Sequence, residues 1–267
     1  MRTLQMAKRT YVGDGLCVFC RKPFAESDLT DEHIIPEALH GALVIKNGAC
    51  RPCARHSNTA YENKALNGDL QLARILLDLR GKRGTAAPRD VRHMPPVFPG
   101  NLTMGGEGER LLDFPVEMYP KFFNLILFPP PGLLVGVDRG GALSALSLRT
   151  FTVGGSGLTG VTVSQGFTNG PFAMMLAKIA YCYAAAERGV EAFDGDPIRC
   201  LLTGERDDVY NFVGSVEKPE HLTTRFLHGL YFRERAEWTT VLINLFASLS
   251  EEVNNVRPYE VVVGRRA

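Results

Sequence analysis

Two Cys-x-x-Cys pairs constrain this chain more strongly than any other feature of its sequence. The four residues are Cys17, Cys20, Cys50 and Cys53. Each pair presents two thiolates at the spacing that a tetrahedral zinc ion requires. Since the protein would supply all four ligands, such an ion stabilises the fold and takes no part in chemistry. We therefore predict one structural Zn²⁺ bound by these four cysteines.

The composition is that of a globular protein. Of the 267 residues, 45% are hydrophobic and 22% are charged, which argues against a disordered chain. The longest apolar helix candidate, 172–186, is interrupted by Lys178 and is too short to span a membrane. Residues 1–15 lack the apolar segment of a secretory signal. We expect a cytoplasmic protein, in which clustered cysteines bind metal rather than form disulfides.

The segment between the cysteine pairs contains the run Glu32-His33-Ile34-Ile35-Pro36, followed by Gly41. Framed by the two Cys-x-x-Cys pairs, this run resembles the HNH endonuclease family, over about Gly15 to Glu62. The resemblance implies a ββα-metal fold whose acid–histidine pair ends the first strand of a hairpin. It also implies hydrolysis of phosphodiester bonds with a divalent cation.

The chemistry of that pair agrees with the resemblance. A neutral histidine is a suitable base near pH 7, so His33 is the predicted general base. A carboxylate suits Mg²⁺ or Mn²⁺, and Glu32 is favoured over Asp31 because it directly precedes the histidine. Adjacent strand residues point to opposite faces, so Glu32 and His33 can serve one centre only if the strand bends there.

The other two motif positions are less well defined. Asn47 lies between His33 and Cys50 and is the candidate for the residue that orients the hairpin, although Asn47-Gly48 is also an ordinary turn dipeptide. The resemblance places a further ligand of the catalytic cation after the last cysteine, where this chain has Ala54. Asn58 lies one helical turn beyond Ala54, whereas His56 is chemically the better ligand, so both are candidates.

The pattern along the whole chain predicts an α+β protein: a zinc-stabilised ββα-metal module followed by a mixed α/β region with several strands and one central apolar helix. We place the module at 1–79, a basic linker rich in proline and glycine at 80–110, and the mixed region, of unknown role, at 111–267. Helices are predicted at Tyr61–Leu79 and at 170–188. Strands are predicted at Phe122–Phe128, Leu133–Val137, Leu143–Phe151, Leu158–Val163, Thr239–Ser248 and Tyr259–Val263.

Local charge indicates a nucleic-acid partner more than the formal net charge of +1 does. Basic residues surround the module and follow its last helix; they are Lys8, Arg9, Arg21, Lys22, Arg51, Arg55, Lys64, Arg80, Lys82, Arg83, Arg89 and Arg92. They suit contacts with DNA phosphates that position a duplex without reading its sequence. For residues 80–92, a solvated helix end and loop is an equal alternative.

Two functions follow from these residues. The first is a metal-dependent DNA endonuclease, for which the resemblance suggests a phage or bacterial defence setting. The second is a zinc-stabilised nucleic-acid-binding or assembly module whose nuclease centre has decayed. In either case the C-terminal region is available for a partner protein or for homo-oligomer formation.

Overall fold

The computed structural model describes residues 8–79, 122–143, 147–152, 169–218, 226–248 and 258–267. The predicted linker, with its basic residues at 80–92, and the predicted strand at 158–163 lie outside these residues. None of the described helices is long and apolar enough to cross a membrane.

The N-terminal elements are three strands and a broken helical segment. In chain order they are β1 (Arg9–Val12), β2 (Leu29–His33), β3 (Leu43–Cys50), α1 (Arg51–Ser57), a π-helical turn (Asn58–Glu62), α2 (Asn63–Asn67) and α3 (Gln71–Leu76). The antiparallel hairpin of β2 and β3 is extended by β1, which pairs with β3 in parallel. Because α1 begins directly after β3 and packs against β2 and β3, the hairpin and helix form a ββα unit.

The remaining described elements form a small hairpin, a larger sheet and four helices. They are β4 (Phe122–Leu127), α4 (Gly132–Val135), β5 (Ser147–Thr152), α5 (Asn169–Arg188), β6 (Phe193–Asp194), α6 (Asp196–Thr203), α7 (Val209–Phe212), β7 (Val213–Ser215), β8 (Gly229–Arg235), β9 (Trp238–Asn244) and β10 (Tyr259–Arg266). The larger sheet has the antiparallel order β6-β10-β9-β8, with β7 also paired to β10.

Helix α5 joins the two parts of the molecule. It packs against β7, β9 and β10 of the larger sheet and also against the π-helical turn and α2 of the N-terminal region. The buried apolar residues form one continuous core that includes Ile34 and Tyr61 as well as Leu176 and Val261. The hairpin is therefore packed against the C-terminal elements through α5.

Several predicted elements differ in the structure. The apolar run Leu133–Val137, predicted as a strand, begins with helix α4, because Pro131 precedes the first turn and Gly136, at φ 67°, ends it in a left-handed conformation. The strand predicted at Thr239–Ser248 ends at Asn244, and the strand predicted from Tyr259 continues to Arg266. The mixed α and β architecture is confirmed.

The helix predicted from Tyr61 to Leu79 begins ten residues earlier, at Arg51, and is interrupted after Asn67. The π-helical turn at Asn58–Glu62 changes which side chains of this helical segment face the protein interior. The wider turn buries both Tyr61 and Glu62, two neighbours in sequence, against the protein interior.

We expect Gly41→Ala to destabilise the loop that follows β2. A Cβ atom at Gly41 would lie 1.9 Å from the carbonyl oxygen of Ile35, so the backbone would have to move. The free energy of unfolding should fall by about 2 kcal/mol or more, measured by chemical denaturation. Gly170→Ala is the matched control, because a Cβ there has no neighbour within 4 Å and alanine favours the helix. Equal stability of the two variants would contradict the proposed close approach.

We also expect His228 to make stability depend on pH. Its Nε2 lies 2.8 Å from the carbonyl oxygen of Leu39, and its Nδ1 accepts a hydrogen bond from the backbone N–H of Phe246. Burial, aided by nearby His40, lowers the pKa of His228 to about 4, whereas the unfolded residue titrates near 6.5. The stability contribution is therefore complete above about pH 6.5 and is lost as the pH falls toward 4.

The loss should reach about 3 kcal/mol at pH 4 in urea unfolding of the wild type. His228→Gln, which does not titrate, serves as the reference, and the difference between the two proteins isolates this residue. Parallel pH profiles for the two proteins would show that His228 is not buried as a neutral group.

Candidate functional site

The four cysteine sulfurs meet at one point beside the hairpin. Their Sγ atoms all lie within 4.8 Å of one another, and the sulfurs of Cys20 and Cys50 are 4.0 Å apart. A zinc ion with Zn–S bonds of about 2.3 Å places its ligands about 3.8 Å apart, so the cluster fits tetrahedral zinc. The donor set, four sulfurs, also suits zinc rather than magnesium.

Backbone geometry brings the two pairs together. The first pair lies in a tight turn in which the N–H of Cys17 donates to Lys22 and the N–H of Arg21, at φ 56°, donates to Cys17. The second pair spans the junction of β3 and α1, with Cys50 at the end of the strand and Cys53 in the first helical turn. The N–H of Val18 donates to Gly48 and fixes the turn against β3.

The cysteines of the cluster differ in the direction in which their pKa values are shifted. The hydrogen bond from the Cys53 thiol lowers the pKa of Cys17 to about 4, despite partial burial. Burial raises the pKa of Cys50, and the hydrogen bond to Cys17 raises that of Cys53. The thiolate is the form that coordinates a metal. Binding of Zn²⁺ would displace the remaining thiol protons.

His33 ends β2 and is partly accessible to solvent. Its side chain retains 31% of its exposure, and its Nε2 atom lies 3.8 Å from Oε2 of Glu37, whose side chain retains 42%. Glu37 begins a short 3-10 turn, Glu37–Leu39, directly after Pro36. A histidine and a carboxylate are therefore close together on an accessible surface, an arrangement suited to proton transfer and to binding a hard cation.

Glu32 lies on the opposite face of the strand from His33. The two residues pair with consecutive β3 residues, Ile45 and Val44, so their side chains diverge. Glu32 is 6% exposed, and its Oε1 atom lies 2.5 Å from Nζ of Lys178 on α5. Its carboxylate therefore faces the interior in this structure, whereas a ligand that shares a cation with a phosphate must reach solvent.

The bend that would bring the acid and the histidine together occurs one residue too early. The register of the hairpin shifts between Thr30 and Glu32, which leaves Asp31 as the bulged, exposed residue. The Asp31 carboxylate accepts a hydrogen bond from the backbone N–H of Asn47 at 3.0 Å. Glu32 and His33 therefore retain the alternation of a regular strand.

Asn47 stabilises this bulge. It has a φ of 51°, and its side-chain amide donates to Glu26 at 2.7 Å. Since Val44 pairs with His33, Asn47 lies three residues further along β3, about 10 Å away. These contacts support a role in shaping the hairpin rather than in contacting the imidazole.

The two candidates after the last cysteine lie on exposed helical surface. The Asn58 side chain folds back on the helix, where its Nδ2 donates to the carbonyl of Ala54 at 3.0 Å. The His56 ring is exposed and packs edge-on against Tyr61, 6.3 Å between centroids. Next to His56 lies a surface groove of about 510 Å³ that Arg51, Pro52, Arg55 and Thr59 also line.

The basic residues of the N-terminal region fall into two groups. Arg9 and Arg21 form ion pairs with Glu187 and Asp14, respectively. Arg55 and Lys64 are exposed on the helical segment, and Arg55 borders the groove beside His56. Lys8 and Lys22 are exposed as well, so the charge available to phosphate lies on α1, on α2, before β1 and in the turn of the first cysteine pair.

Three residues near the proposed centre were not found from the sequence. Glu37 lies four residues after His33. The sequence alone does not show that a turn brings the two side chains close together. Glu62 and Lys178 meet Glu32 in the interior, where Nζ of Lys178 lies 2.9 Å from Oε1 of Glu62. The interruption of the apolar helix by Lys178 was the available sign, since a lysine among buried residues requires partners.

The comparisons with known proteins agree with the site. A family model described as HNH endonuclease matches residues 17–69, a segment that contains the four cysteines, His33 and the helical residues up to α2. No curated protein and no solved structure matches the chain. Residues 17–69 thus carry an HNH-type segment with a four-cysteine cluster, while α5 and the larger sheet lie outside the matched segment.

We expect Cys53→Ser to remove zinc and unfold the hairpin region. The purified wild type should contain about one zinc per chain by elemental analysis, and the variant should lose it along with several kcal/mol of stability. Cys200→Ser is the control, because Cys200 lies on α6 and is not one of the four clustered cysteines. Full zinc content in Cys53→Ser would contradict the four-sulfur assignment.

Proposed function

We propose that the N-terminal region is a metal-dependent endonuclease that hydrolyses phosphodiester bonds of DNA, with His33 as the general base. The observation that carries the proposal is the partly exposed His33–Glu37 pair at the end of β2, within a ββα unit that matches the HNH endonuclease family. An imidazole at this position is able to take a proton from an attacking water near pH 7.

A bound Mg²⁺ or Mn²⁺ would neutralise the charge that develops on the phosphate and on the leaving oxygen. Among the described residues, Glu37 offers the carboxylate near His33 that such a cation prefers. Asn58 retains its side-chain oxygen as a ligand atom, because the amide nitrogen is the atom bonded to Ala54. His56 is the alternative, and its exposed ring is available to a cation or to a phosphate.

The exposed basic side chains suit a DNA backbone as the substrate. Arg51 and Arg55 line the groove beside His56, and Lys64 extends the positive surface along α2. Contacts of this kind position a duplex through its phosphates and carry no sequence information. The proposed activity is therefore cleavage with little sequence preference by the N-terminal region itself.

We expect His33→Ala to lose about 100-fold or more of the cleavage rate, because the water would lack its base. The measurement is nicking of supercoiled plasmid in the presence of Mg²⁺ or Mn²⁺. Glu37→Gln should lose about 10-fold or more, since it removes a ligand charge beside the histidine. Substituting Asn58 and His56 by alanine, singly, will identify the further ligand by the larger loss.

The matched control is His40→Asn, seven residues further on. His40 has a φ of 59°, a conformation that asparagine tolerates, so the fold should persist and cleavage should remain near the wild-type rate. If His33→Ala cleaves as fast as the wild type, the proposed base is wrong.

The burial of Glu32 favours a second candidate function. The acid that precedes the histidine is bonded to Lys178 and is withdrawn from solvent, which is the state expected of a centre that has lost its catalysis. In that case the region would be a zinc-stabilised nucleic-acid-binding or assembly module. Binding of DNA by wild type and His33→Ala alike, with no cleavage by either protein under either cation, would identify it.

A further inference from the structure

A buried lysine from outside the HNH-matched segment contacts the backbone of the proposed base. Lys178 lies in the middle of α5 and is 1% exposed. Its Nζ atom donates to the carbonyl oxygen of His33 and lies 3.5 Å from the carbonyl oxygen of Ile34. The hydrogen bond to His33 joins α5 to the exact residue on which the proposed chemistry depends.

Two carboxylates complete the surroundings of this ammonium group. Oε1 of Glu32 lies 2.5 Å from Nζ, and Oε1 of Glu62 lies 2.9 Å from it. Glu32 comes from β2 and Glu62 from the π-helical turn, so the three ionisable groups unite three separate elements. The carbonyl of His33 accepts one of the three N–H donors of the ammonium, and Glu32 and Glu62 face it as ion-pair partners.

The charges of the cluster are nearly balanced. Burial acts to lower the pKa of Lys178, but Glu32 and Glu62 outweigh it and hold that pKa well above its usual value. Burial raises the pKa of Glu32, an effect that Lys178 opposes and Glu62 reinforces. The lysine is thus charged at neutral pH, and a proton held by the carboxyl pair would leave the cluster neutral.

Stability alone does not account for such a cluster. Replacing a buried ion pair with apolar residues of similar volume is often neutral or stabilising, because the charges recover little more than their desolvation cost. What an apolar residue cannot supply is a directed donor to the carbonyl of His33. The bond fixes the end of β2, where a displacement of about 1 Å would cost about 100-fold in rate.

We propose that Lys178 is a positioning residue of the nuclease centre and that, through it, helix α5 and the larger sheet control the placement of His33. This inference rests on the proposed function. Glu32 acts in it as a partner of Lys178 and not as a ligand of the catalytic cation. The imidazole of His33 and the carboxylate of Glu37 remain the groups that meet the substrate.

The test requires variants that remove the hydrogen bond without leaving a buried charge. Lys178→Met alone would leave two carboxyls without their cation, so it is combined with Glu32→Gln and Glu62→Gln in a triple variant that is neutral and similar in volume. Glu32→Gln alone keeps Lys178, its bond to His33 and one balancing carboxylate. Arg188→Met serves as a control for α5, because Arg188 pairs with Glu234 near the helix end.

We expect Glu32→Gln and Arg188→Met to cleave plasmid within about 3-fold of the wild type. The triple variant should lose about 30-fold or more in kcat, with KM for DNA changed by less than about 3-fold, because the base is displaced while the phosphate contacts remain. Its zinc content and melting temperature should stay close to those of Glu32→Gln. Cleavage by the triple variant at the rate of Glu32→Gln would overturn the proposal.

A second readout does not depend on cleavage. The imidazole resonance of His33, assigned by its absence in His33→Ala, should shift in the triple variant and stay in place in Glu32→Gln and Arg188→Met. An unshifted resonance in a folded triple variant overturns the positioning role. If the wild type fails to cleave DNA with either cation, the nuclease proposal fails, and the resonance still decides whether Lys178 positions His33.

If the triple variant does not fold, Glu32→Gln alone still tests the assignment to Lys178. A loss of about 100-fold in Glu32→Gln, at unchanged melting temperature, would mean that the Glu32 carboxylate acts in the centre itself and would overturn the assignment to Lys178. Retained activity and an unshifted His33 resonance in that variant support it.

Discussion

The rest of the N-terminal region depends on the point where the four cysteine sulfurs meet. They tie the turn at residues 17–20 to the junction of β3 and α1. That junction sets the register of the β2–β3 hairpin, in which β2 ends at His33. It also sets the direction of the helical segment that carries His56 and Asn58. A region whose strands have only four to eight residues gains from such a link, because short strands bury little apolar surface by themselves.

The second determinant is ionic and lies inside the protein. Lys178 lies between β2, the π-helical turn and the rest of α5, and it is one of the points at which the HNH-type segment and the C-terminal elements share polar contacts in the interior. The buried hydrogen bonds from Tyr181 to Val18 and between His228 and Leu39 are others. The π-helical turn belongs to the same arrangement, because it directs both Tyr61 and Glu62 inward. A regular α-helix would have placed neighbouring residues about 100° apart and made this double burial harder. The four-cysteine cluster and the lysine thus both contact the hairpin of β2 and β3.

Sequence reasoning succeeded where the relevant partners lie close together in the chain. The spacing of the cysteine pairs predicted the four-cysteine cluster, and the run from Glu32 to Pro36 between them predicted the family match, because both depend on local patterns. The location of Glu32 could not be predicted in this way. It depends on a lysine nearly 150 residues away, and no local pattern indicates which strand face α5 covers. The run 133–137 was predicted wrongly for a different, local reason. Its apolar residues suit a strand, but Pro131 and Gly136 set the backbone conformation that makes the start of the run helical.

The alternation of side chains along β2 leads to a particular conclusion about the chemistry. An acid and a histidine at adjacent strand positions share one site only if the backbone bends between them, and here the bulge lies at Asp31 instead. The carboxylate that lies near His33 is that of Glu37, which follows the histidine in sequence. Pro36 starts the 3-10 turn that carries Glu37, and the N–H of Gly41 donates to the carbonyl of Pro36, which closes the loop. Because Gly41 has no Cβ, the chain passes close to Ile35 and the turn stays beside the end of β2. The loop after the histidine thus supplies the accessible acid, and the strand before it supplies the acid that binds Lys178.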